Sequence, residues 1–259
     1  MSLTDAELFY AEEGEGEPLI FLHGNFNDHQ IWGRQVPYFK DHFRVIRYDL
    51  RGYGQSSTPH NPFSHAEDLR VLMEHLGLEK AHLVGSSMGG AVAIDFALAY
   101  PAQVRSLILA APSVNGVPYP RKMTWKGIQN YIFVRIRGHQ AAIESFVRDR
   151  FWEYVFPADS KAKARQFVLD NVRDPRNFCR TPVKYLKSGS ASSLARIHEL
   201  TLPALILIGD KDHAFNIRTA ELLETQMKSA SKITLPDCGH LLFVEHPSAF
   251  NERVMRFLR

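Results

Sequence analysis

The sequence has few of the features that define several protein classes. Its 259 residues include only two cysteines, Cys179 and Cys238, which are too few for a disulfide framework. The 31 Lys and Arg residues against 28 Asp and Glu residues leave a net charge of +3, which indicates no nucleic-acid partner. No group of His, Cys, Asp or Glu has the spacing of a metal site, so we expect neither a metal nor another cofactor.

The sequence also lacks long apolar stretches. No run reaches the roughly 18 apolar residues that a membrane-spanning helix needs. The first 17 residues, MSLTDAELFYAEEGEGE, are acidic and do not have the apolar stretch of a secretory signal. Hydrophobic residues make up 45% and charged residues 23%, which is typical of a globular protein. We therefore expect a cytoplasmic protein, a monomer or a homodimer, with a small-molecule substrate and no membrane partner.

Short apolar runs rich in β-branched residues recur along the chain and predict buried strands. Near-continuous runs such as LILAA and ALILI indicate strands that are covered on both faces, as in a parallel sheet. Helical patterns fall between the strands, so the alternation predicts an open, doubly wound α/β fold. The first two strands could instead form a hairpin. The predicted strands cover residues 7–11, 19–22, 44–48, 81–85, 105–111, 204–208 and 232–235, and the predicted helices cover residues 30–39, 64–76, 91–100 and 247–258.

The alternation stops between residues 113 and 200, where the pattern is helical. We predict that this cap segment is inserted into a core formed by residues 1–112 and 201–259. The cap segment contains 16 Lys and Arg against 7 Asp and Glu, a net charge of +9, whereas the remainder has a net charge of −6. A solvated helical surface explains this basic charge, and attraction of an anionic substrate or acidic partner is the alternative.

The most informative local motif is GSSMG at residues 85–89, which matches G-x-S-x-G and lies between a predicted strand and a predicted helix. A nucleophile elbow needs this context, because a sharp turn lifts the serine hydroxyl out of the sheet edge. Strand and helix nearly touch there, and Gly85 and Gly89 are small enough. Ser87 is the candidate nucleophile, and the backbone N–H of Met88 is a candidate oxyanion donor at the helix N-terminus. A glycine-rich turn without chemistry is the alternative.

A serine nucleophile needs a base, and the base needs an acid that orients it. Asp210 and Asp212 follow one predicted strand, and His240 follows the next. Because the carboxyl ends of parallel strands meet at one edge of the sheet, we expect these side chains to converge on Ser87. Turn position alone leaves both aspartates open as the acid.

Several ordered motifs together resemble those of the α/β-hydrolase superfamily, in its branch of serine esterases and lactonases. They extend over essentially the whole chain except the cap segment, and the resemblance implies a mostly parallel sheet with an inserted helical cap. The motifs are HGN at residues 23–25, DLRGYGQS at 49–56, GSSMG at 85–89, GDKD at 209–212, and GH at 239–240 before EHP at 245–247.

The resemblance also implies a role for each site residue. Ser87 is the nucleophile, His240 is the general base and then the general acid, and Asp212 is the acid that orients the imidazole. The backbone N–H groups of Asn25 and Met88 form the oxyanion hole.

Other motif residues resemble bracing groups. His23 is expected to hold the oxyanion loop, and Asp49 and Arg51 are expected to brace neighbouring loops. The HGN motif that contains Asn25 is similar to the corresponding motif of haloalkane dehalogenases, which use an aspartate nucleophile. Because this chain has Ser87 at that position, we do not expect dehalogenation through a carboxylate.

The elbow resembles those of small carboxylesterases, enol-lactonases, carbon–carbon bond hydrolases and cofactor-free haloperoxidases. The carbon–carbon bond hydrolases of aromatic degradation typically have Asn before the serine and Trp after the histidine, where this chain has Ser86 and Leu241. We therefore expect a serine hydrolase that cleaves a small carboxylic ester or lactone through an acyl-enzyme. Carbon–carbon bond hydrolysis and haloperoxidase activity are alternatives. A ligand receptor or binding module on the same fold is an alternative of another class.

Aromatic residues are the candidates to line the substrate pocket, and ordinary packing between cap and core is the alternative for each of them. The candidates are Phe26 and Trp32 from the core and Trp125, Tyr131, Phe133, Phe146, Phe151 and Trp152 from the cap segment.

Overall fold

A seven-stranded sheet forms the centre of the protein, in the order β1-β3-β2-β4-β5-β6-β7. The computed structural model describes residue 1 and residues 6–178, 181, 183–186 and 192–259. Strands β2 to β7 are parallel, and β1 is antiparallel to β3. The strands are β1 (Tyr10–Glu13), β2 (Glu17–Leu22), β3 (Phe43–Tyr48), β4 (Ala81–Ser86), β5 (Val104–Ala110), β6 (Ala204–Gly209) and β7 (Ala230–Leu235).

The parallel sheet that the alternating pattern predicts is confirmed, but the hairpin alternative for the first two strands is wrong. Strand β1 pairs with β3, because β2 already has a parallel partner on each side, β3 and β4. Every residue of β4 and β6 is buried, as expected for central strands that are covered on both faces.

Helices cover both faces of the sheet and fill the connection between β5 and β6. Hydrophobic residues from the sheet, the flanking helices and the cap segment form one core cluster. The α-helices of the described residues are α1 (Val36–Phe39), α2 (His65–His75), α3 (Met88–Ala99), α4 (Arg121–Arg148), α5 (Ala162–Arg173), α6 (Ser193–Arg196), α7 (Ala214–Gln226), α8 (Leu242–Glu245) and α9 (Pro247–Leu258).

Helix α7 is absent from the helices that the sequence predicts. Its buried face includes Asn216 and Thr219 beside Ala220 and Leu223, so its apolar periodicity is weak. The predicted helix 30–39 is also divided, since a 3-10 helix (His29–Trp32) precedes α1.

The cap segment lies between β5 and β6, and its described residues contain no strand. Its longest element, α4, is interrupted at Gly138, whose φ of 80° favours glycine. After this break, Ile143 and Phe146 are buried in the hydrophobic core. In the part of the chain that the structure describes, no helix is both long and apolar enough to cross a membrane.

Candidate active site

Ser87 occupies a strained turn at the carboxyl end of β4. Its φ of 50° and ψ of −114° are rare for a residue with a side chain. The backbone N–H of Ser87 donates to the carbonyl of Ala110 at 3.0 Å, and the carbonyl of Ser87 accepts from the N–H of Ser113 at 2.9 Å. These two bonds hold the turn from neighbouring segments, as a strained position requires.

The glycines on either side allow the strand and the helix to approach closely. A Cβ atom on Gly85 would lie 2.5 Å from the carbonyl oxygen of Gly89. A Cβ atom on Gly89 would lie 2.5 Å from the carbonyl oxygen of His23, in the loop after β2. The structure therefore supplies the close approach that the sequence motif predicts.

His240 and Asp212 form a buried pair at the same edge of the sheet. The Nδ1 atom of His240 lies 2.9 Å from Oδ2 of Asp212. The other carboxylate oxygen, Oδ1, accepts from Nδ2 of Asn216 at 2.7 Å and from the backbone N–H of His213 at 2.6 Å. Of the two aspartates left open by turn position, the structure brings Asp212 to His240. Asp210 is exposed and accepts from the backbone N–H of Cys238 at 3.3 Å.

The pairing also determines which ring nitrogen of His240 carries the proton. A carboxylate only accepts hydrogen bonds, so Nδ1 must be the donor to Asp212. The 3.1 Å contact between Nδ2 of Asn216 and Nδ1 of His240 therefore joins two donors and is not a hydrogen bond. In the neutral ring, Nε2 is left unprotonated, as a general base requires.

Ser87 and His240 line the same cavity. Both are described by the structure, and no hydrogen bond connects their side chains. Such bonds are often long in an enzyme without substrate and shorten in the complex with substrate.

The loop that carries Asn25 lies directly against the elbow. A Cβ atom on Gly24 would lie 3.1 Å from Cβ of Ser87. Among the described residues, the backbone N–H groups of Asn25 and Met88 have no acceptor, and Met88 begins helix α3, where the helix dipole is positive. Two free N–H groups near a serine hydroxyl can stabilise negative charge that develops on a substrate oxygen.

His23 braces this loop. Its Nδ1–H donates to the carbonyl of Gly24 at 2.8 Å, and its Nε2 accepts from the N–H of Leu50 at 2.9 Å. Burial lowers the pKa of His23, so the ring is neutral and can accept at Nε2. The hydroxyl of Tyr53 donates to Oδ1 of Asn25 at 2.6 Å and holds the exposed end of the loop.

Asp49 and Arg51 hold the adjacent loop from inside. Asp49 accepts from the backbone N–H and from Nδ1 of His29, both at 2.7 Å, and from the N–H of Gln55 at 2.8 Å. Burial alone would raise the pKa of Asp49, but these hydrogen bonds and the nearby imidazoles lower it. Arg51 forms a buried ion pair with Asp68 at 2.5 Å. These contacts are structural rather than part of the cavity.

One buried cluster has the composition of a metal site. Potential ligand atoms of Asp28, His29 and Asp49 lie within 4.8 Å of one another, a proximity that sequence spacing does not reveal. The carboxylate of Asp28 accepts from the side chains of Asn171 and Asn177 at 2.7 and 3.1 Å, and that of Asp49 accepts from His29. The oxygens therefore already have protein donors, and the cluster is a hydrogen-bond network between the core and the cap segment.

A cavity of about 300 Å³ opens beside Ser87 and His240. Its walls come from the Asn25 loop, the elbow, the start of α4 and the 3-10 helix Arg150–Val155. The lining residues are Gly24, Asn25, Phe26, Asn27, Ser87, Ser113, Tyr119, Met123, Thr124, Gly127, Trp152, Tyr154, Val155, Asn216, His240 and Leu241.

Phe26 and Trp152 line this cavity, but the expectation for Trp32 and Trp125 is wrong. Trp32 is fully buried and stacks on Phe243 with ring centroids 3.9 Å apart, so its ring packs in the core and not in the cavity. Trp125 is 58% exposed on the outside of α4.

The other aromatic candidates also lie outside the cavity lining. Phe146 is buried behind Phe26, with ring centroids 4.5 Å apart, and Phe151 packs edge-on against Trp152. Tyr131 and Phe133 are exposed on α4. Whether an aromatic side chain lines the cavity therefore depends on which side of its helix faces inward, and not on its being aromatic.

Several residues of the site carry no clear signal in the sequence. Asn216 lies four residues after Asp212, at the start of α7, a helix that the sequence pattern does not predict. The carbonyl of Tyr154 accepts from the backbone N–H of His240 at 3.2 Å, which ties the cap segment to the histidine loop. Tyr119 and Met123 line the cavity as well. The only sequence signal for Asn216 is its position four residues after Asp212, which would place both on one side of a helix. Many Asn residues have an Asp at that spacing, so the signal is weak.

Cys238 is a buried free cysteine two residues before His240. Burial raises the pKa of its thiol to about 12, which keeps it protonated and unreactive. Cys179 lies outside the described residues.

Comparison with known proteins gives the family. The sequence profile of the alpha/beta hydrolase fold matches residues 17–247. The chain belongs to this family. The fold class and the resemblance to the α/β-hydrolase superfamily are thereby confirmed.

The relatives have different functional names. A 2-hydroxy-6-oxononadienedioate/2-hydroxy-6-oxononatrienedioate hydrolase of Comamonas testosteroni is 29% identical over 265 residues, 99% of this chain and 92% of that protein. The AB hydrolase superfamily protein YisY of Bacillus subtilis is 30% identical over 96% of this chain and 94% of that protein. A thermophilic esterase from Thermogutta terrifontis has a solved structure that superposes with a TM-score of 0.82 at 25% identity, covering 98% of this chain and 93% of that one. This family hydrolase therefore has relatives named as a dienedioate hydrolase and as an esterase, and the family alone leaves its substrate class open.

Proposed function

We propose that this protein is a serine hydrolase that cleaves a small, uncharged carboxylic ester or lactone. One observation carries the proposal: Ser87, on its strained turn, lines the same cavity as His240, whose Nδ1 is held by Asp212 at 2.9 Å. This arrangement supplies a nucleophile, a base and an orienting acid, which are the three groups that acyl transfer through a serine needs.

In this mechanism, Oγ of Ser87 attacks the ester carbonyl while Nε2 of His240 takes its proton. The carbonyl oxygen becomes an oxyanion and accepts hydrogen bonds from the backbone N–H groups of Asn25 and Met88, each donor contributing about 3 kcal/mol to the transition state. His240 then protonates the leaving alcohol, and an acyl-enzyme remains on Ser87. Water, activated by His240, attacks the acyl group and releases the acid, which regenerates the serine.

Asp212 stabilises the imidazolium that forms in each step. Its carboxylate is buried and has three donors, Nδ1 of His240, Nδ2 of Asn216 and the backbone N–H of His213. These bonds hold the imidazole in the tautomer that leaves Nε2 free to act as the base.

The cavity supports a small neutral substrate. A volume of about 300 Å³ is at the lower end for ligand sites. Among the described residues that line it, none is Lys or Arg, and the polar groups are amides, hydroxyls and the imidazole of His240. A charged substrate would lose its hydration in this cavity without gaining a counter-charge.

Carbon–carbon bond hydrolysis is the second candidate, because the Comamonas testosteroni relative at 29% identity is named as the hydrolase of a 2-hydroxy-6-oxo diacid, and such a compound has no ester bond to cleave. The name of that relative's substrate denotes two carboxylates, and a dianion is best bound by Arg or Lys. The uncharged lining of this cavity favours the ester, and Leu241 is among the residues that form it.

A series of p-nitrophenyl esters of increasing acyl length tests the proposal. We expect a burst followed by steady turnover with the wild type, and a loss of at least a thousandfold in Ser87→Ala. Ser86→Ala is the matched control, since its hydroxyl is buried without a partner among the described residues.

The same series separates the alternatives. If the wild type is inert towards every ester but cleaves a vinylogous diketone, the second candidate replaces the first. If it binds the esters without turnover, the chain is a binding module of the family.

A further inference from the structure

The first part of α4, residues 121–137, has one side turned to the protein and one side turned to solvent. Met123, Asn130 and Val134 are buried against the core, and Gly127 lines the cavity. The opposite side has no packing partner among the described residues.

That opposite side is apolar along its length. Trp125, Ile128, Ile132 and Ile136 are spaced three or four residues apart, so they lie on one face of the helix. Their exposures are 58, 44, 45 and 70%. We call these four residues the outer face of α4. Single exposed apolar residues are normal on a protein surface, but here four of them follow one another along one helix face, so the outer face is a candidate contact surface.

The surroundings of the outer face are strongly basic. Residues 121–137 contain five Lys and Arg residues and no Asp or Glu. Lys126 pairs with Asp149 at 2.6 Å, and Lys122 lies over the ring of Phe151. Arg121 and Arg135 lie along the same side as the outer face and, like Arg137, form no ion pair with any described residue. An occupant that covers this surface must therefore be apolar and must carry negative charge beside its apolar part.

A second copy of this chain fits those requirements poorly. From Trp125 to Ile136 the outer face extends over eleven residues of helix, which is about 16 Å. A helix is about 10 Å wide, so the area of the outer face is on the order of 160 Å². A stable interface buries about 800 Å² on each partner. A two-fold contact between two outer faces would also bring Arg121 and Arg135 close to the same residues of the other copy. Like charges at close range oppose that association.

We propose that the outer face of α4 docks onto the surface of an anionic lipid bilayer. A helix with apolar residues on one side, Lys and Arg beside them and a Trp among them lies in the plane of the headgroups, where the indole is favoured. The basic residues then contact anionic headgroups. Such a helix lies on the bilayer and does not cross it. We predicted no membrane partner because the sequence lacks a spanning segment, and that reason does not apply to docking on the bilayer surface.

The position of α4 connects this surface with the cavity. Met123, Thr124 and Gly127 line the cavity from the inner side of the helix that carries the outer face. Docking would place the cavity wall against the bilayer, one helix diameter from its apolar region. The docking inference itself does not rest on the proposed hydrolysis, since it concerns binding alone.

Co-sedimentation with vesicles tests the proposal. We expect the full-length protein to bind vesicles of mixed phosphatidylcholine and phosphatidylserine and not vesicles of phosphatidylcholine alone, with binding weakened by salt. Ile132→Gln and Ile136→Gln should each weaken binding about tenfold. Arg121→Gln and Arg135→Gln should each weaken it about fivefold. Tryptophan emission should shift to the blue on binding, and since Trp32 and Trp152 are buried, that shift reports Trp125.

Tyr38→Ala is the matched control, because Tyr38 is an exposed aromatic residue outside the cap segment. It should bind vesicles as the wild type does. Circular dichroism and the melting temperature show that each variant is folded. The proposal is overturned if the wild type binds neither kind of vesicle, or if binding is unchanged in the isoleucine variants. It is also overturned if light scattering shows a dimer that the isoleucine variants dissociate, since a second copy would then cover the outer face.

Discussion

Asn216 holds the carboxylate of Asp212 through the oxygen that His240 does not use. Its Nδ2 donates to Oδ1 at 2.7 Å, while Nδ1 of His240 lies 2.9 Å from Oδ2. Both oxygens of a buried carboxylate are thereby satisfied, and its plane is fixed relative to the imidazole. A charged group that is held on both sides keeps its partner in one tautomer, which makes Asn216 a positioning residue for the proposed reaction.

Replacing Asn216 by Leu should lower kcat for ester hydrolysis by about ten- to a hundredfold, because a hydrogen bond to a charged group contributes about 1.5–3 kcal/mol. KM should change little, since the carboxylate of Asp212 lies behind His240. Steady-state kinetics on the best p-nitrophenyl ester measure both constants. Asn251→Leu in α9 is the control, because Oδ1 of this buried residue has no partner among the described residues. An unchanged kcat in Asn216→Leu would remove its positioning role.

Asp212→Asn should lower kcat by about 10⁴-fold. Asn216 and the N–H of His213 would keep the amide oxygen on their side, so the amide NH2 would face Nδ1 of His240 and favour the tautomer that is protonated at Nε2. Asp210→Asn is the matched control two residues away, and it should retain kcat within a factor of two or three, as expected for an exposed surface substitution. Burst and steady-state rates on the same ester distinguish the two variants. Equal losses in both would show that the loop, and not the acid, was disturbed.

Gly89→Ala should destabilise the protein by about 1–3 kcal/mol or more, since its Cβ would lie 2.5 Å from the carbonyl oxygen of His23. Gly127→Ala should instead stabilise the protein, because nothing lies within 4 Å of its added Cβ and alanine favours the helix by about 1 kcal/mol. Urea unfolding measures both changes. A stable, active Gly89→Ala variant would contradict the close approach of strand and helix at the elbow.

His65 should make the protein less stable in acid. Burial, followed by the proximity of His23 and Arg51, lowers its pKa from 6.5 to about 3. Between these pH values the unfolded chain binds a proton that the folded protein does not, so the free energy of unfolding falls as the pH falls. The contribution is about 1.4 kcal/mol per pH unit for one proton.

His65→Leu tests this pH dependence. Urea unfolding of wild type and variant should give parallel stability curves above pH 6.5 and a shallower slope for the variant below it. The steeper fall of the wild type reflects a histidine that is neutral in the folded protein and takes up a proton when the chain unfolds. Identical slopes at both ends would show that His65 binds its proton equally in the folded and unfolded states.

The strands were predictable because each is a short apolar run between turns. Runs such as LILAA and ALILI correspond to β5 and β6 within a few residues. The pairing of β1 was less accessible, since the sequence places it beside β2 but the free edge that it joins belongs to β3. Helix α7 was missed because its buried face contains Asn216 and Thr219, so it lacks the apolar stripe on which such predictions depend.

The pocket was predicted less well than the proposed catalytic residues. The positions of Ser87, Asp212 and His240 follow from local rules, since each lies in the loop or turn that follows a strand of one parallel sheet. The aromatic residues of the cavity follow no such rule. No feature of the sequence distinguishes Trp32 from Trp152 as a pocket residue, yet Trp32 packs in the core and Trp152 lines the cavity.

By itself the sequence determined the sheet, the elbow and the set of residues that meet at its edge, because these depend on contacts between neighbours along the chain and on strand direction. Only the tertiary structure decided that Asn216 completes the pair of Asp212 and His240, and which side of α4 faces the cavity. Those outcomes depend on how helices rotate and pack against the sheet, and many distant side chains set that packing together. The same packing left Trp125 and three isoleucines facing outward on a basic helix.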